Sequence, residues 1–346
     1  MGAEHPTPMP PALTEDRFIR LMLRLSRGRG PRPVVGIGDD AAVLQTSSKS
    51  RTLVTTDFLT EGVHFRSQWT PPRLLGRKAM AVNLSDIAAM GGVPLTAVVS
   101  VGLPRGTRLS FAAALALGLA EQARRHRTTI VGGDTCAAQR LFVSVTLLGA
   151  VEIGREVLRS GARPGDRLYV TGTLGASAAG LAMLRRARRG VRRGAGAGQP
   201  GARAAAIRAH LDPTPRVLFG RALGLSGIAR AMIDLSDGIA KDLPRLCEAS
   251  GVGAVLGASA LPVDPAARHL LGPRRALDAA LCGGEDYELL FAARPEHEPV
   301  LARLAASLKL RVQGIGAVLP RSSGVRLLGR DGRYRPLPRP AFEHFA

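Results

Sequence analysis

PRLLGRKAMAVNLSDIAAM, Pro72 to Met90, decides the fold class of this chain. Its apolar residues Leu74, Leu75, Met80, Leu84, Ile87 and Met90 recur at mixed three- and four-residue steps, and Gly91-Gly92 supplies a stop, so the spacing predicts a helix carrying Asp86. Upstream, RTLVTTD (Arg51 to Asp57) is a β-branched run ending in polar residues, the pattern of a strand emerging into a loop. Downstream, Leu95 to Val101 predicts a strand, Phe111 to His126 a helix, Thr128 to Val131 a strand running into Gly132-Gly133-Asp134, and Leu141 to Val151 a strand. The second half repeats the alternation. Arg167 to Val170, Ala229 to Ile233, Tyr287 to Ala292 and Val312 to Leu319 read as strands; Leu174 to Arg189, Arg216 to Leu223 and a segment carrying Lys241 read as helices. The expectation is a mixed α/β (α+β) protein.

A chain of 346 residues exceeds the usual size of one hydrophobic core, so two domains are expected. The turn residues Gly154, Gly161, Pro164 and Gly165 put the boundary between Ile153 and Asp166, giving domains 1–155 and 156–346. Asn83-Leu84-Ser85-Asp86-Ile87 and Asp234-Leu235-Ser236-Asp237-Gly238 hint at an internal duplication. No apolar run approaches the roughly 20 residues of a membrane span, and the Pro-rich start has no apolar signal core, so a cytoplasmic protein without membrane contact is expected. Cys136, Cys247 and Cys282 match no metal or disulfide spacing and read as small buried residues.

The formal net charge is +21, yet only Lys49, Lys78, Lys241 and Lys309 are lysines, and aromatic residues make up 4%. An arginine-driven excess with so few stacking rings argues against nucleic acid as the partner. The run Arg185, Arg186, Arg188, Arg189, Arg192 and Arg193 reads as a solvated helix end followed by a flexible loop.

The carboxylates are more informative. Asp and Glu total 27, and many stand in short motifs beside Gly, Thr or Ser: Gly38-Asp39-Asp40, Thr55-Thr56-Asp57, Leu84-Ser85-Asp86, Gly132-Gly133-Asp134, Asp234-Leu235-Ser236-Asp237 and Gly283-Gly284-Glu285-Asp286. Any one such Asp is ordinarily a turn residue or helix cap. Their repetition points to a shared oxygen-rich site suited to Mg²⁺, which takes one or two carboxylates per ion and completes its shell with water and phosphate. Gly36-Ile37-Gly38-Asp39-Asp40 lacks the third glycine of a dinucleotide loop, and its carboxylates would repel a pyrophosphate unless a cation lay between. Neither a P-loop nor the protein-kinase motif set is present, so metals and arginines, with Arg159 one candidate, have to hold any nucleotide phosphate. No nucleophile elbow or Cys/His pairing is evident, which favours metal-assisted transfer without a covalent intermediate.

Taken together, GIGDDAAVL, TTDFLTEGVHF, KAMAVNLSDIAAMGG, GGDT, GREVLRSGARPGD, VTGTLG, IDLSDGIAKDL and GGEDYELLF resemble the thiamine-monophosphate kinase family, of the aminoimidazole ribonucleotide synthase-like superfamily. The resemblance runs from about Gly36 to Phe342-Glu343-His344-Phe345. It implies a two-domain aminoimidazole ribonucleotide synthase-like fold. The N-terminal domain would form a barrel across a homodimer and bind ATP and Mg²⁺, with a C-terminal α/β domain alongside. By matching motif it implies Asp40, Asp57, Asp86, Asp134, Asp234 and Asp237 as Mg²⁺ ligands with Thr55 and Thr56 adding oxygens, Gly133, Arg159 and Ser236 as ATP contacts, and His64, Glu285 and Phe342 as contacts to thiamine monophosphate. Several Mg²⁺ ions and ATP as co-substrate follow from the same likeness. Within the superfamily the alternatives are an ATP-dependent ligase or dehydratase, or a selenophosphate synthetase. A basic nucleic-acid-binding protein is the alternative of another class.

Overall fold

In the computed structural model of the chain, which describes residue 19 and residues 33–188 and 200–339, the stretch from Pro72 closes into a single helix, α1 (Pro72–Ala89). Pro72 opens it at a position where its missing N–H is no loss, and Gly91, at φ +72°, turns the chain away after it. Most of its residues are buried, from Leu75 and Met80 to Ile87 and Ala89. A helix covered on nearly all sides needs no narrow apolar stripe, which explains the mixed steps in its sequence.

One side of α1 lies on a five-stranded sheet ordered β1-β2-β5-β3-β4. These strands are β1 (Ala42–Gln45), β2 (Ser50–Thr60), β3 (Val93–Leu103), β4 (Thr129–Ala137) and β5 (Phe142–Glu152). β2, β5 and β3 pair antiparallel, and β4 joins β3 in parallel after the crossover helix α2 (Leu109–Arg125). Two motifs expected in loops lie inside strands. Thr55-Thr56-Asp57 pairs with Val145 to Leu147 on β5, and Gly132-Gly133-Asp134 pairs with Val98 to Ser100 on β3. Gly133 is required by proximity, since a Cβ on it would stand 1.9 Å from the Val99 carbonyl oxygen.

The second sheet has the order β12-β11-β8-β10-β6-β9-β7. In chain order it comprises β6 (Arg167–Thr171), β7 (Ala229–Asp234), β8 (Val252–Gly257), β9 (Leu289–Ala293), β10 (Val312–Pro320), β11 (Val325–Leu328) and β12 (Tyr334–Pro336). Its helices are α3 (Ala176–Arg188), α4 (Pro200–Leu211), α5 (Val217–Ser226), α6 (Ile239–Ser250), α7 (Pro265–Leu271), α8 (Pro273–Cys282) and α9 (Glu298–Ser307). One apolar core runs from Leu53, Ile87 and Val145 in the first half to Phe219, Met232 and Phe291 in the second. The halves therefore share packing, and α1 is the shared element.

Helices α1 and α2 cross at glycines: a Cβ on Gly76 would lie 2.2 Å from the Leu115 carbonyl oxygen, and one on Gly118 would lie 1.9 Å from that of Arg73. Both neighbours are backbone and cannot swing aside. Gly118→Val is therefore expected to cost about 3 kcal/mol, at the upper end for overpacking, read as a lower urea midpoint at unchanged slope.

The exposed Arg185 and Arg186 fit the solvated helix end expected there, while Arg189, Arg192, Arg193 and Phe342 lie outside the described residues. Cys247 is buried as expected. Cys136 departs from expectation, being exposed on β4, where every residue of the strand faces solvent.

Candidate active site

The two similar pentapeptides meet. Ser85, on the last turn but one of α1, donates from Oγ to Asp234 Oδ2 at 2.6 Å, so the Leu-Ser-Asp turn of the first half touches the end of β7 in the second. Asp86 follows Ser85, and Thr55 Oγ1 donates to its Oδ2 at 2.5 Å from β2. Asn83, one turn earlier on α1, accepts from the Asp57 backbone N–H at 3.0 Å and donates to the Ala79 carbonyl at 3.1 Å. Helix and strand are thus locked in a register that stacks Asp57 and Asp86, whose carboxyls lie within hydrogen-bonding reach.

Asp40 completes the group. One oxygen from each of Asp40, Asp86 and Asp234 lies within 4.8 Å of the others. Carboxylates at that spacing repel. Burial first, then the charges of Asp57, Asp234 and Asp40, push Asp86 well above the usual carboxylate range. Burial, followed by the charge of Asp40, does the same to Asp234. Burial also raises Asp40, against the pull of Arg159, whose Nη2 stands 2.6 Å from Asp40 Oδ1. The other oxygen of Asp40, Oδ2, is buried with no hydrogen-bond partner. A buried carboxylate oxygen without a donor is costly, and a hard cation is the partner that an all-oxygen cluster suits.

Asp237 and Asp134 fall elsewhere. Asp237 is paired with Lys241 Nζ at 2.9 Å and Arg245 Nη1 at 2.8 Å, and these cations hold its carboxyl low in spite of burial. Asp134 is exposed on β4, in the cross-sheet row of Phe58, Ser144 and Ser100, whereas Asp57 shares the neighbouring row with Val145, Val99 and Gly133. Adjacent rows face opposite sides of a sheet. Asp134 is thus on the face away from α1, and strand alternation is the reason. The Thr56 hydroxyl lies on that outer face too, 3.0 Å from Thr146 Oγ1.

Arg159 is tied to the first motif, its backbone N–H donating to Asp39 at 3.1 Å and its Nη1 to the Gly38 carbonyl at 3.3 Å. Ser236 receives the Glu285 N–H at 2.7 Å on its carbonyl, and the Tyr287 N–H reaches the Leu235 carbonyl at 2.9 Å, so the Gly283–Tyr287 and Asp234–Gly238 loops are zipped together. Glu285 and Tyr287 both adopt positive φ, +67° and +50°, a strained conformation for residues with side chains. Glu285 is held by Lys78 Nζ at 2.6 Å and His210 Nδ1 at 3.1 Å. Those neighbours outweigh burial and depress its carboxyl to about 2.

His64 accepts from the Thr60 N–H at 3.0 Å on Nδ1, which leaves Nε2 as the proton-bearing nitrogen of the neutral ring. Sequence reasoning missed Tyr287, a buried phenol pushed well above its ordinary value by burial first and then by the charges of Glu285, Asp57, Asp234 and Asp86. Its place two residues after Glu285 was the available signal. Lys78 and His210 were also missed, although Lys78 is one of only four lysines in the chain.

An acidic site at the seam of two α/β halves defines the class, and comparison with known proteins agrees: the chain matches the AIR synthase related protein families, the N-terminal domain over residues 38–151 and the C-terminal domain over residues 163–328. It is 36% identical to the thiamine-monophosphate kinase of Bacillus subtilis, over 90% of this chain and 93% of that protein. Its identity to the Escherichia coli K12 thiamine-monophosphate kinase is 37%, over 90% and 92%. The solved structure "AaThiL complexed with AMPPCP and TMP" superposes with a TM-score of 0.81 at 32% identity, covering 96% of this chain and 97% of that one. The chain belongs to the thiamine-monophosphate kinase family.

Proposed function

We propose that this protein transfers the γ-phosphoryl group of ATP to thiamine monophosphate, giving thiamine diphosphate and ADP, with Mg²⁺ bound by Asp40, Asp57, Asp86 and Asp234. The observation that carries the reading is the convergence of Asp40, Asp86 and Asp234 within 4.8 Å, from both halves of the chain, with one Asp40 oxygen buried and unpartnered. When bound, Mg²⁺ would neutralise the phosphates and stabilise charge on the transferring group. The acceptor is a phosphate monoester, largely dianionic at neutral pH. Its oxygen forms the new bond to the γ-phosphorus as the bond to the β-phosphate oxygen breaks, so no side chain has to remove a proton.

The protein's own part is placement. Thr55 and Ser85 orient the Asp86 and Asp234 carboxylates. Arg159, beside Asp40, Ser236, on the turn after β7, and Gly133, on β4, are the ATP contacts in this reading. His64 would offer Nε2–H to the acceptor, Glu285 would stand beside its cationic ring, and Phe342 would supply a stacking face. Asp237 serves by ordering Lys241 and Arg245. Asp134 and Thr56, on the outer face of the sheet, would add oxygens to a metal on that side.

The same reading makes the protein a homodimer of the cytoplasm. β4 is an edge strand exposed along its whole length, with Val131 59% exposed, and Phe58 on the outer face of β2 is equally open. Such an edge invites pairing, and a second copy would cover it by two-fold symmetry. Val131→Lys is expected to shift the protein to monomer in sedimentation at micromolar concentration. Among the described residues no helix is long and apolar enough to cross a membrane.

The test of function is direct: purified protein with ATP, Mg²⁺ and thiamine monophosphate, assayed for thiamine diphosphate beside a thiamine-only control. Product in the first and none in the second is expected. No product from thiamine monophosphate, or product from free thiamine alone, would reject the assignment.

A further inference from the structure

Lys78 is 1% exposed, two turns before Asp86 on α1, and a buried ammonium without a purpose is expensive. Its Nζ lies 2.6 Å from Glu285 Oε1. The other Glu285 oxygen, Oε2, meets His210 Nδ1 at 3.1 Å, and the same Nδ1 lies 3.0 Å from Ser177 Oγ. A carboxylate only accepts, so Nδ1 carries the proton, and His210 is itself buried, on the last turn of α4. Asp286 strengthens the arrangement by accepting from the Gly175 N–H at 2.7 Å and the Ser177 N–H at 3.3 Å. Helices α1 and α4 therefore converge on the Glu285 carboxylate, and the start of α3 supports His210. It retains 23% side-chain exposure, so its outer lone pairs stay open to a ligand.

The placement along α1 gives this a purpose. Eight residues separate Lys78 from Asp86, about 12 Å at 1.5 Å per residue. That is the scale of a molecule whose phosphate is at the acidic cluster and whose organic cation lies further along the helix.

We propose that Lys78 and His210 are positioning residues for the acceptor: they fix the Glu285 carboxylate, from both of its oxygens, in the orientation that receives the substrate's cationic ring. The inference rests on the acceptor assignment above. The clamp acts on the ring and not on ATP, so damage to it raises KM for thiamine monophosphate and spares KM for ATP. Asn places its amide nitrogen where Nδ1 of His lies, while Gln places its own near Nε2 and cannot donate to Glu285. The two substitutions separate the donor from the mere polarity of the site.

The experiment measures both KM values in wild type, His210→Asn, His210→Gln, Glu285→Gln and the double variant His210→Gln/Glu285→Gln, with thermal melts of each. We expect His210→Gln to raise KM for thiamine monophosphate about tenfold with KM for ATP within twofold, and His210→Asn to stay within threefold of wild type. In the Glu285→Gln background His210→Gln should add less than twofold, because the group it acts through has lost its charge. Equal effects of Asn and Gln, a parallel rise in both KM values, or full additivity in the double variant would overturn the inference while wild-type turnover upheld the functional reading. Should His210→Gln fail to fold, Lys78→Met replaces it, with the same KM split and non-additivity expected. A wild type that does not use thiamine monophosphate would overturn both.

Discussion

Asp86→Asn is expected to reduce turnover by about 10²–10³-fold and, in the absence of metal, to make the protein more stable. The first effect is the cost of removing one preorganised electrostatic contact at the transferring group. The second follows from the cluster's own repulsion. Burial and the charges of Asp57, Asp234 and Asp40 raise the Asp86 carboxyl well above its ordinary value. A carboxyl raised on folding binds its proton more tightly in the native state, so its cost is absent below the unfolded value and grows as pH climbs through and beyond it. With chelator present, wild-type melting should therefore fall as pH rises above about 4, and the Asn variant should fall less, by about 1–2 °C for each kcal/mol of repulsion relieved. Excess Mg²⁺ with ATP should reverse the ranking by stabilising wild type more. An Asn variant that melted below wild type in chelator would refute the electrostatic account even if its activity were lost.

Arg216→Met is expected to be the most destabilising change in the second half without touching the acidic cluster. Glu288 is buried beneath Gly172, where a Cβ would strike its Oε1, and it accepts from Arg216 Nε at 2.7 Å, from Arg216 Nη2, and from Thr171 Oγ1 at 2.6 Å. Removing the guanidinium leaves a buried carboxylate with one hydroxyl donor, a loss of about 3–5 kcal/mol. For a chain of this size that is roughly 4–7 °C in Tm. Adding Glu288→Leu should recover most of the loss, since the cost lies in the stranded charge and not in lost attraction. If the double variant were no better than Arg216→Met alone, the packing of the Arg stem would be the cause instead.

Much of the scaffold was readable because local signals agreed with tertiary demands. The steps in Pro72 to Met90, the β-branched run at Arg51 to Asp57 and the Gly-flanked acids located α1, β2 and the acidic cluster. The strand interiors of Thr55-Thr56-Asp57 and Gly132-Gly133-Asp134 were misread because glycine and acid imply turns by propensity. Here β3 and β5 impose the ladder. Asp237 illustrates a different limit: its motif matches that of Asp86, but nothing in the motif announced its ion pairs with Lys241 and Arg245 of the following helix. The Lys78–Glu285–His210 clamp could not be seen in the sequence because its members lie on three elements far apart in the chain. Only folding brings them together.

The central claim is that carboxylates from both halves gather divalent cations at one place. Titration of Mn²⁺ followed by electron paramagnetic resonance, in the presence of ATP, tests it in wild type, Asp86→Asn from the first half and Asp234→Asn from the second. The account predicts that each single substitution weakens Mn²⁺ uptake at least tenfold. Undiminished Mn²⁺ binding in either variant would contradict it.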